Sequence, residues 1–389
     1  ALCYAECGAR IPEDGGFYLF YKKTFGGAFA FIAGWSAYMV TVPASSAGIA
    51  IVFASYLGEV IPWFASHQKE GAVMAVIFCG VINMVKLNAS TWTQRILTFA
   101  KIGALVLLCV GVAFAALNGA SIERASTGAF LKKGSFIGAF TLLMWAYDGW
   151  NNTTMISGEI KNPGKNLGRS VFWGIGTVAL IYIMVQWAVM LILGPQAAAG
   201  SQSVFSDAVT AAFGSRGGLL VSILVVVSTL GAINGTVLTG SRLGYAMAVD
   251  GVFPQWLGEL HSSFKTPHRS VIFLTIVSIA MIFSSNFEQV VSYFSFSVWV
   301  FYAFTVVSLL IMRRQNVGQP DWVAPFGNLP IIVVMIASIV MTVGLIVNSP
   351  RESFVGTVLL LSGLPIYWIF ERMKQSGVKI FNPAREKMN

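Results

Sequence analysis

The feature that most constrains this chain is a succession of apolar runs, each about as long as a lipid bilayer is thick. A transmembrane helix needs roughly 20 mostly apolar residues. On that ruler the sequence offers ten whole spans, at about 27–57, 71–87, 92–117, 136–159, 169–193, 216–248, 270–285, 289–312, 329–347 and 353–373. A shorter helix-like stretch covers about Ala1–Ala9. Composition agrees, because 56% of the 389 residues are hydrophobic and only 11% are charged. An ordinary soluble domain carries about 25% charged residues, and so few charges do not cover a water-facing exterior. The expectation is an all-α membrane protein in contact with the lipid bilayer. Residues 1–374 form a single transmembrane domain, followed by a tail over 375–389.

The formal charge of +9 does not point to nucleic acid, since the basic residues lie between apolar runs and not on one soluble face. If Lys22 and Lys23 face the cytoplasm, nineteen of the 25 Lys and Arg residues share that side and six lie on the other. Such a bias orients a multi-pass protein and predicts a cytoplasmic carboxyl terminus, with the cell membrane as the expected location. Cys3, Cys7, Cys79 and Cys109 lie in or beside apolar runs with no CxxC spacing, and His67, His261 and His268 form no metal-ligand cluster. Neither zinc nor a disulfide framework is expected, and no cofactor is implied. The sequons at Asn88, Asn151 and Asn152 fall on the cytoplasmic side or within a span, so no glycan is expected. The chain opens at Ala1 in mid-helix with no signal-peptide pattern, which reads as a piece whose beginning lies elsewhere.

The span over Phe136–Glu159 departs from the rest. Its outer half is ordinary, and then comes Trp145-Ala146-Tyr147-Asp148-Gly149-Trp150-Asn151-Asn152-Thr153-Thr154. At about 1.5 Å per residue, Asp148 lies roughly 18 Å beyond Phe136, near the middle of a ~30 Å hydrocarbon core. An ionisable side chain at that depth costs at least ~2.5 kcal/mol, so it should face protein or water. Asp-Gly is a turn-forming pair that unwinds a helix readily. Backbone groups freed there persist only if they line a cavity or bind something. Secondary transporters build midplane sites from such interruptions, with helix ends receiving anionic groups and bare carbonyls receiving cationic ones. That suits a zwitterion such as an amino acid. The bland alternative is a kink packed against its neighbours.

Lys101 follows Arg95 by six residues, about 9 Å into the membrane. Its ammonium either snorkels back to the interface or stands beside the solute path. Depth alone leaves both open.

Several motifs occur in order. Trp145-Ala-Tyr-Asp-Gly-Trp-Asn151 is similar to an unwound sixth helix, Glu159-Ile-Lys-Asn-Pro-Gly-Lys-Asn-Leu167 to the loop after it, and Phe99-Ala-Lys101 to a fifth-helix lysine motif. Asn234-Gly-Thr-Val-Leu-Thr-Gly-Ser-Arg242 is similar to an eighth helix and Leu361-Ser-Gly-Leu-Pro-Ile-Tyr367 to a twelfth. On these motifs the whole chain resembles the amino acid–polyamine–organocation superfamily, and within it the L-type amino-acid transporter light subunits and their bacterial relatives. The resemblance implies a twelve-helix fold with helices one to five and six to ten as inverted repeats (5+5). Ala1 then falls late in helix two, and helix one, whose glycine-rich break holds the substrate carboxylate in that family, lies outside this sequence.

Carried over by position, the resemblance makes Trp145 an aromatic gate above the substrate. It brings the backbone of Trp145, Ala146, Asp148 and Gly149 to the ammonium group, counts Tyr147 among the substrate-binding residues, and gives Asn151 a hydrogen bond to the bound amino acid. Lys101 takes the sodium-like position near Thr236, implying sodium-independent transport, usually exchange. Two departures matter. Val298 stands where some relatives place asparagine, so no substrate contact is expected there. The external connection Ile61–Lys69 has no cysteine, so no disulfide-linked heavy chain is expected.

Asp148 either faces a helix end, which leaves neutral amino acids as substrates, or pairs with a cationic side chain, which admits arginine or lysine and extends to polyamine exchange; neutral is the expectation. A proton-coupled symporter using Asp148 or Glu6 is the alternative within transport, and a membrane nutrient sensor is the alternative outside it. An enzyme is not expected: there is no Ser/His/Asp set, no HExxH and no phosphate-binding glycine loop.

Overall fold

The computed structural model describes residues 1–85 and 136–376 except Asp14, Gln202 and Asp321, and ten further positions between Ile96 and Gly111. Among the described residues every regular element is a helix. In chain order these are α1 (Leu2–Arg10), α2 (Phe17–Phe25), α3 (Gly27–Val60), α4 (Gln68–Val85), α5 (Phe136–Ala146) and a 3-10 segment (Trp150–Glu159). There follow α6 (Pro163–Gly200), α7 (Val204–Phe213), α8 (Ser215–Val249), α9 (His268–Ser284) and α10 (Phe287–Arg314). The chain ends in α11 (Leu329–Asn348), α12 (Pro350–Leu361) and α13 (Gly363–Gln375).

Seven of these stretches are long and apolar enough to cross a bilayer. They match the expected spans within a few residues, because a 20-residue apolar requirement is the strongest local signal a chain carries. Of the expected span at 92–117 only the ten positions between Ile96 and Gly111 are described, all of them helical, and Lys101 lies outside the described residues. The span expected at 270–285 appears as the 17-residue α9, about 26 Å long. Two helices sit where connections were expected. Both α2 and α7 are too short to span and so escape the length criterion.

Position in the bundle follows from burial. In the apolar windows of α3 and α10, 67% and 61% of residues are buried, against 17% in α6 and in α12–α13. Thus α3 and α10 are central and the others present most of their surface to lipid. Inside α3, Pro43 has no amide to donate, and the ladder just before it shifts to a π-turn over Ala37–Thr41, with the Val42 amide donating to the Ala37 carbonyl. A capping box starts α10, with Asn286 Oδ1 accepting from the Gln289 amide at 2.9 Å and Gln289 Oε1 from the Asn286 amide at 3.1 Å. Just after Leu193 the ladder of α6 kinks, where Gly194 leaves helical geometry at φ 69° and Pro195 follows.

α2 is stitched to α10: Tyr21 donates to the Phe301 carbonyl at 2.7 Å, and the Thr24 and Ser308 hydroxyls meet at 2.9 Å. The turn before α2 closes on the 3-10 segment. Gly15 donates to the Met155 carbonyl at 3.2 Å, and a Cβ on Gly16 would lie 2.8 Å from Thr154 Oγ1.

Candidate substrate cavity at the helix break

The interrupted span is present. α5 ends at Ala146, the Tyr147 amide makes a last helical bond to the Leu143 carbonyl at 3.2 Å, and the Asp148 amide turns back to the Trp145 carbonyl at 3.1 Å. Gly149 then adopts φ 106°, a left-handed conformation that glycine enters without a Cβ penalty. Beyond it the chain resumes as a 3-10 helix. The polar run explains that choice: Thr153, Thr154 and Ser157 each donate to the carbonyl three residues back, at 2.7, 2.7 and 2.8 Å. Across the turn, the Tyr147 and Asp148 carbonyls accept no main-chain hydrogen bond among the described residues. Among the described residues the interruption therefore leaves these two acceptors without a main-chain partner, at the depth where lipid offers none.

Next to the turn is a cavity of about 290 Å³, close to the lower end of the ~300–1,000 Å³ range of ligand pockets. Trp145, Tyr147 and Asp148 line it, as do Trp150, Tyr4 of α1 and Tyr302 of α10. Tyr302 donates its hydroxyl to Asp148 Oδ1 at 2.8 Å. Its ring lies 5.5 Å from both Tyr4 and Trp150 and 5.6 Å from Trp299, forming an aromatic wall. Among the described residues no Lys, Arg or His side chain pairs with Asp148.

The break holds the other residues of the motif differently. The Trp145 ring stacks edge-on to Phe287 at 5.3 Å and covers Gly48, where a Cβ would come within 3.1 Å of it. The Ala146 carbonyl accepts from Tyr182 of α6 at 3.3 Å, and Tyr182 also packs edge-on to Tyr147 at 4.9 Å. Asn151 has a buried Oδ1 with no hydrogen-bond partner among the described residues, a state that invites a donor from a ligand. Ala146, Gly149, Asn151 and Thr236 are not among the cavity-lining residues. Thr236 spends its hydroxyl on the Ala232 carbonyl at 3.0 Å within α8. Val298 does line the cavity, through an apolar side chain. No group of three or more His, Cys, Asp or Glu residues able to hold a metal occurs among the described residues.

Sequence reasoning missed Tyr302 and Tyr4. A usable signal existed for Tyr302, a hydroxyl-bearing residue 15 positions into α10 and so roughly 22 Å along it. A polar group at that depth calls for a partner, as Asp148 did.

The amino acid permease family matches residues 1–370. The b(0,+)-type amino acid transporter 1 of Mus musculus is 32% identical over 95% of this chain and 77% of its own length. The Large neutral amino acids transporter small subunit 2 of Homo sapiens is 29% identical, over 95% of this chain and 70% of its own. The serine/threonine exchanger SteT of Bacillus subtilis is 27% identical, over 96% of this chain and 86% of its own. The apolar helices, the interrupted span and a family match over nearly the full sequence lead to one conclusion: this chain belongs to the amino acid permease family.

Proposed function

We propose that the protein exchanges L-amino acids across the cell membrane by alternating access and without sodium, with neutral amino acids as its main substrates. The observation that carries this reading is the break at Tyr147–Gly149, where two carbonyls without a main-chain partner among the described residues and one carboxylate adjoin an aromatic cavity. Bare carbonyls receive an ammonium group in the manner of a discontinuous transporter helix. The aromatic wall of Tyr4, Trp150, Trp299 and Tyr302 suits an apolar side chain. Sodium independence rests on the resemblance of Phe99-Ala-Lys101 to the family's lysine motif. The charge bias puts the face carrying Lys22 in the cytoplasm, and the cysteine-free connection Ile61–Lys69 supports a transporter without a disulfide-linked heavy chain.

A second reading, cationic substrates, draws support from Asp148: no basic side chain offsets its charge among the described residues. Proton coupling through Glu6 has less support, because that carboxylate is occupied by two arginines and a backbone amide.

Uptake into proteoliposomes tests the proposal. Labelled neutral amino acid should enter faster when unlabelled amino acid is inside and should ignore replacement of sodium. Uptake indifferent to internal amino acid rules out exchange, and a panel of unlabelled competitors ranks neutral against cationic side chains. Lys101→Ala should impair flux, and unchanged flux would return that residue to the snorkelling reading.

A further inference from the structure

The two helices that wall the cavity through Tyr4 and Tyr302 are joined a second time, at the face carrying Lys22. Glu6 of α1 is fully buried (0% exposed). Its Oε1 accepts from Arg10 Nε at 3.0 Å, Arg10 Nη2 at 2.9 Å and Arg313 Nε at 2.9 Å; its Oε2 accepts from Arg313 Nη2 at 2.5 Å and the Ala324 amide at 2.9 Å. Arg313, in the last turn of α10, reaches outward with Nη1 to the Gly327 carbonyl at 3.0 Å and to Asn328 Oδ1 at 2.8 Å. Arg10 Nη1 donates to the Val317 carbonyl at 3.1 Å. The segment between α10 and α11 is therefore a strap tied at several points to the end of α1. It also reaches α6: the Trp322 ring lies so close over Gly168 that a Cβ there would collide with it.

We propose that the Glu6–Arg313 pair is a latch closing the cavity toward the Lys22 face, and that releasing it, with the strap, opens the path to that side. The contacts place a charged joint at one end of the α1–α10 interface. α1 packs against α10 as well as against the 3-10 segment and α6, and at the cavity its Tyr4 ring meets Tyr302. α10 is also bonded to α2. Glu6 and Arg313 tie the two helices again where both end. The chemistry supports two states with little between them. When dry, five donors offset the buried carboxylate. When the strap lifts and water enters, both charges are solvated, and only a dry, separated pair is costly. Switching elements work by such bistability. Two polar ends of one guanidinium, one inside on Glu6 and one outside on the strap, couple strap and helix.

Native thiols report the opening. Cys3 lines the cavity and is 2% exposed, and the remaining cysteines are Cys7, Cys79 and Cys109. In a background of Cys7→Ala, Cys79→Ala and Cys109→Ala, reconstituted protein is treated with a membrane-impermeant methanethiosulfonate from one side at a time. Glu6→Gln, which keeps the shape and removes the charge, should speed labelling of Cys3 from the Lys22 side about tenfold or more and slow it from the other, since a minor state at roughly 0.1–10% has that room to rise. No change from the Lys22 side, or equal acceleration from both sides, overturns the latch. If Glu6→Gln does not fold, Asn328→Ala removes only the outer anchor of Arg313. It should give a smaller rise on the Lys22 side alone, and a folded variant without that rise overturns the proposal. Labelling needs no substrate, so this result stands apart from whether amino acids are exchanged.

Discussion

Tyr302 holds Asp148: a hydroxyl from the middle of α10 donates at 2.8 Å to the carboxylate of the helix break, across 154 positions of sequence. The contact fixes where the Asp148 carboxylate points, so the cavity presents an oriented carboxylate backed by an aromatic ring.

Tyr302→Phe keeps the ring and deletes the donor. Hydrogen bonds to charged groups contribute about 1.5–3 kcal/mol. If only half of that loss falls on the bound state, KM for amino-acid uptake should rise about 4- to 12-fold with kcat less affected. Unchanged KM and unchanged competition by cationic amino acids would reduce Tyr302 to a wall residue.

Asp148→Asn separates the two substrate readings. The amide preserves the turn and the partner of Tyr302 while removing the charge. Under neutral exchange, uptake of neutral amino acids should persist within a few-fold. Under the cationic reading, arginine or lysine uptake should fall by about 100-fold or more, as expected for a desolvated charge pair broken on one side.

Gly149→Ala tests the break itself. At φ 106° a Cβ is strained, by about 1–3 kcal/mol, although space exists, the nearest atom being Asn152 Nδ2 at 4.0 Å. The variant should lower the apparent melting temperature in detergent by a few degrees and reduce transport. Gly174→Ala, in the interior of α6 with nothing within 4 Å, should be neutral or slightly stabilising. Equal behaviour of the two variants would contradict a strained turn.

Two ion pairs at the Lys22 face should differ in worth. Lys22 pairs with Asp250 at 2.6 Å with side chains 42% and 26% exposed, and such pairs contribute roughly 0–1 kcal/mol. Arg313 pairs with the buried Glu6, and removing one partner of a buried pair costs about 3–5 kcal/mol. Arg313→Met should therefore lower thermal stability far more than Lys22→Met. The same corner carries a pH signature. Burial and the hydrogen bond to Asp250 push the Tyr18 phenol up. A raised folded-state value stabilises fully below the unfolded tyrosine range of about pH 10, and that stability is lost as pH rises through the folded value. Tyr18→Phe should lose stability less steeply above that pH than the parent protein.

The sequence by itself determined the class, seven of the spans and the place of the break. Length and apolarity decide what lipid accepts, and Asp148-Gly149 in mid-span announces an interruption from local chemistry alone. Tertiary structure decided which groups meet there. Tyr302 and Tyr4 come to Asp148 from helices far apart in sequence, and Arg313 comes to Glu6 across 307 positions. No local pattern encodes such pairings, because they depend on how helices cross and which faces turn inward. The short helices α2 and α7 went unread for a related reason: they are held by their neighbours, as Tyr21 and Thr24 hold α2 to α10, and not by spanning the bilayer.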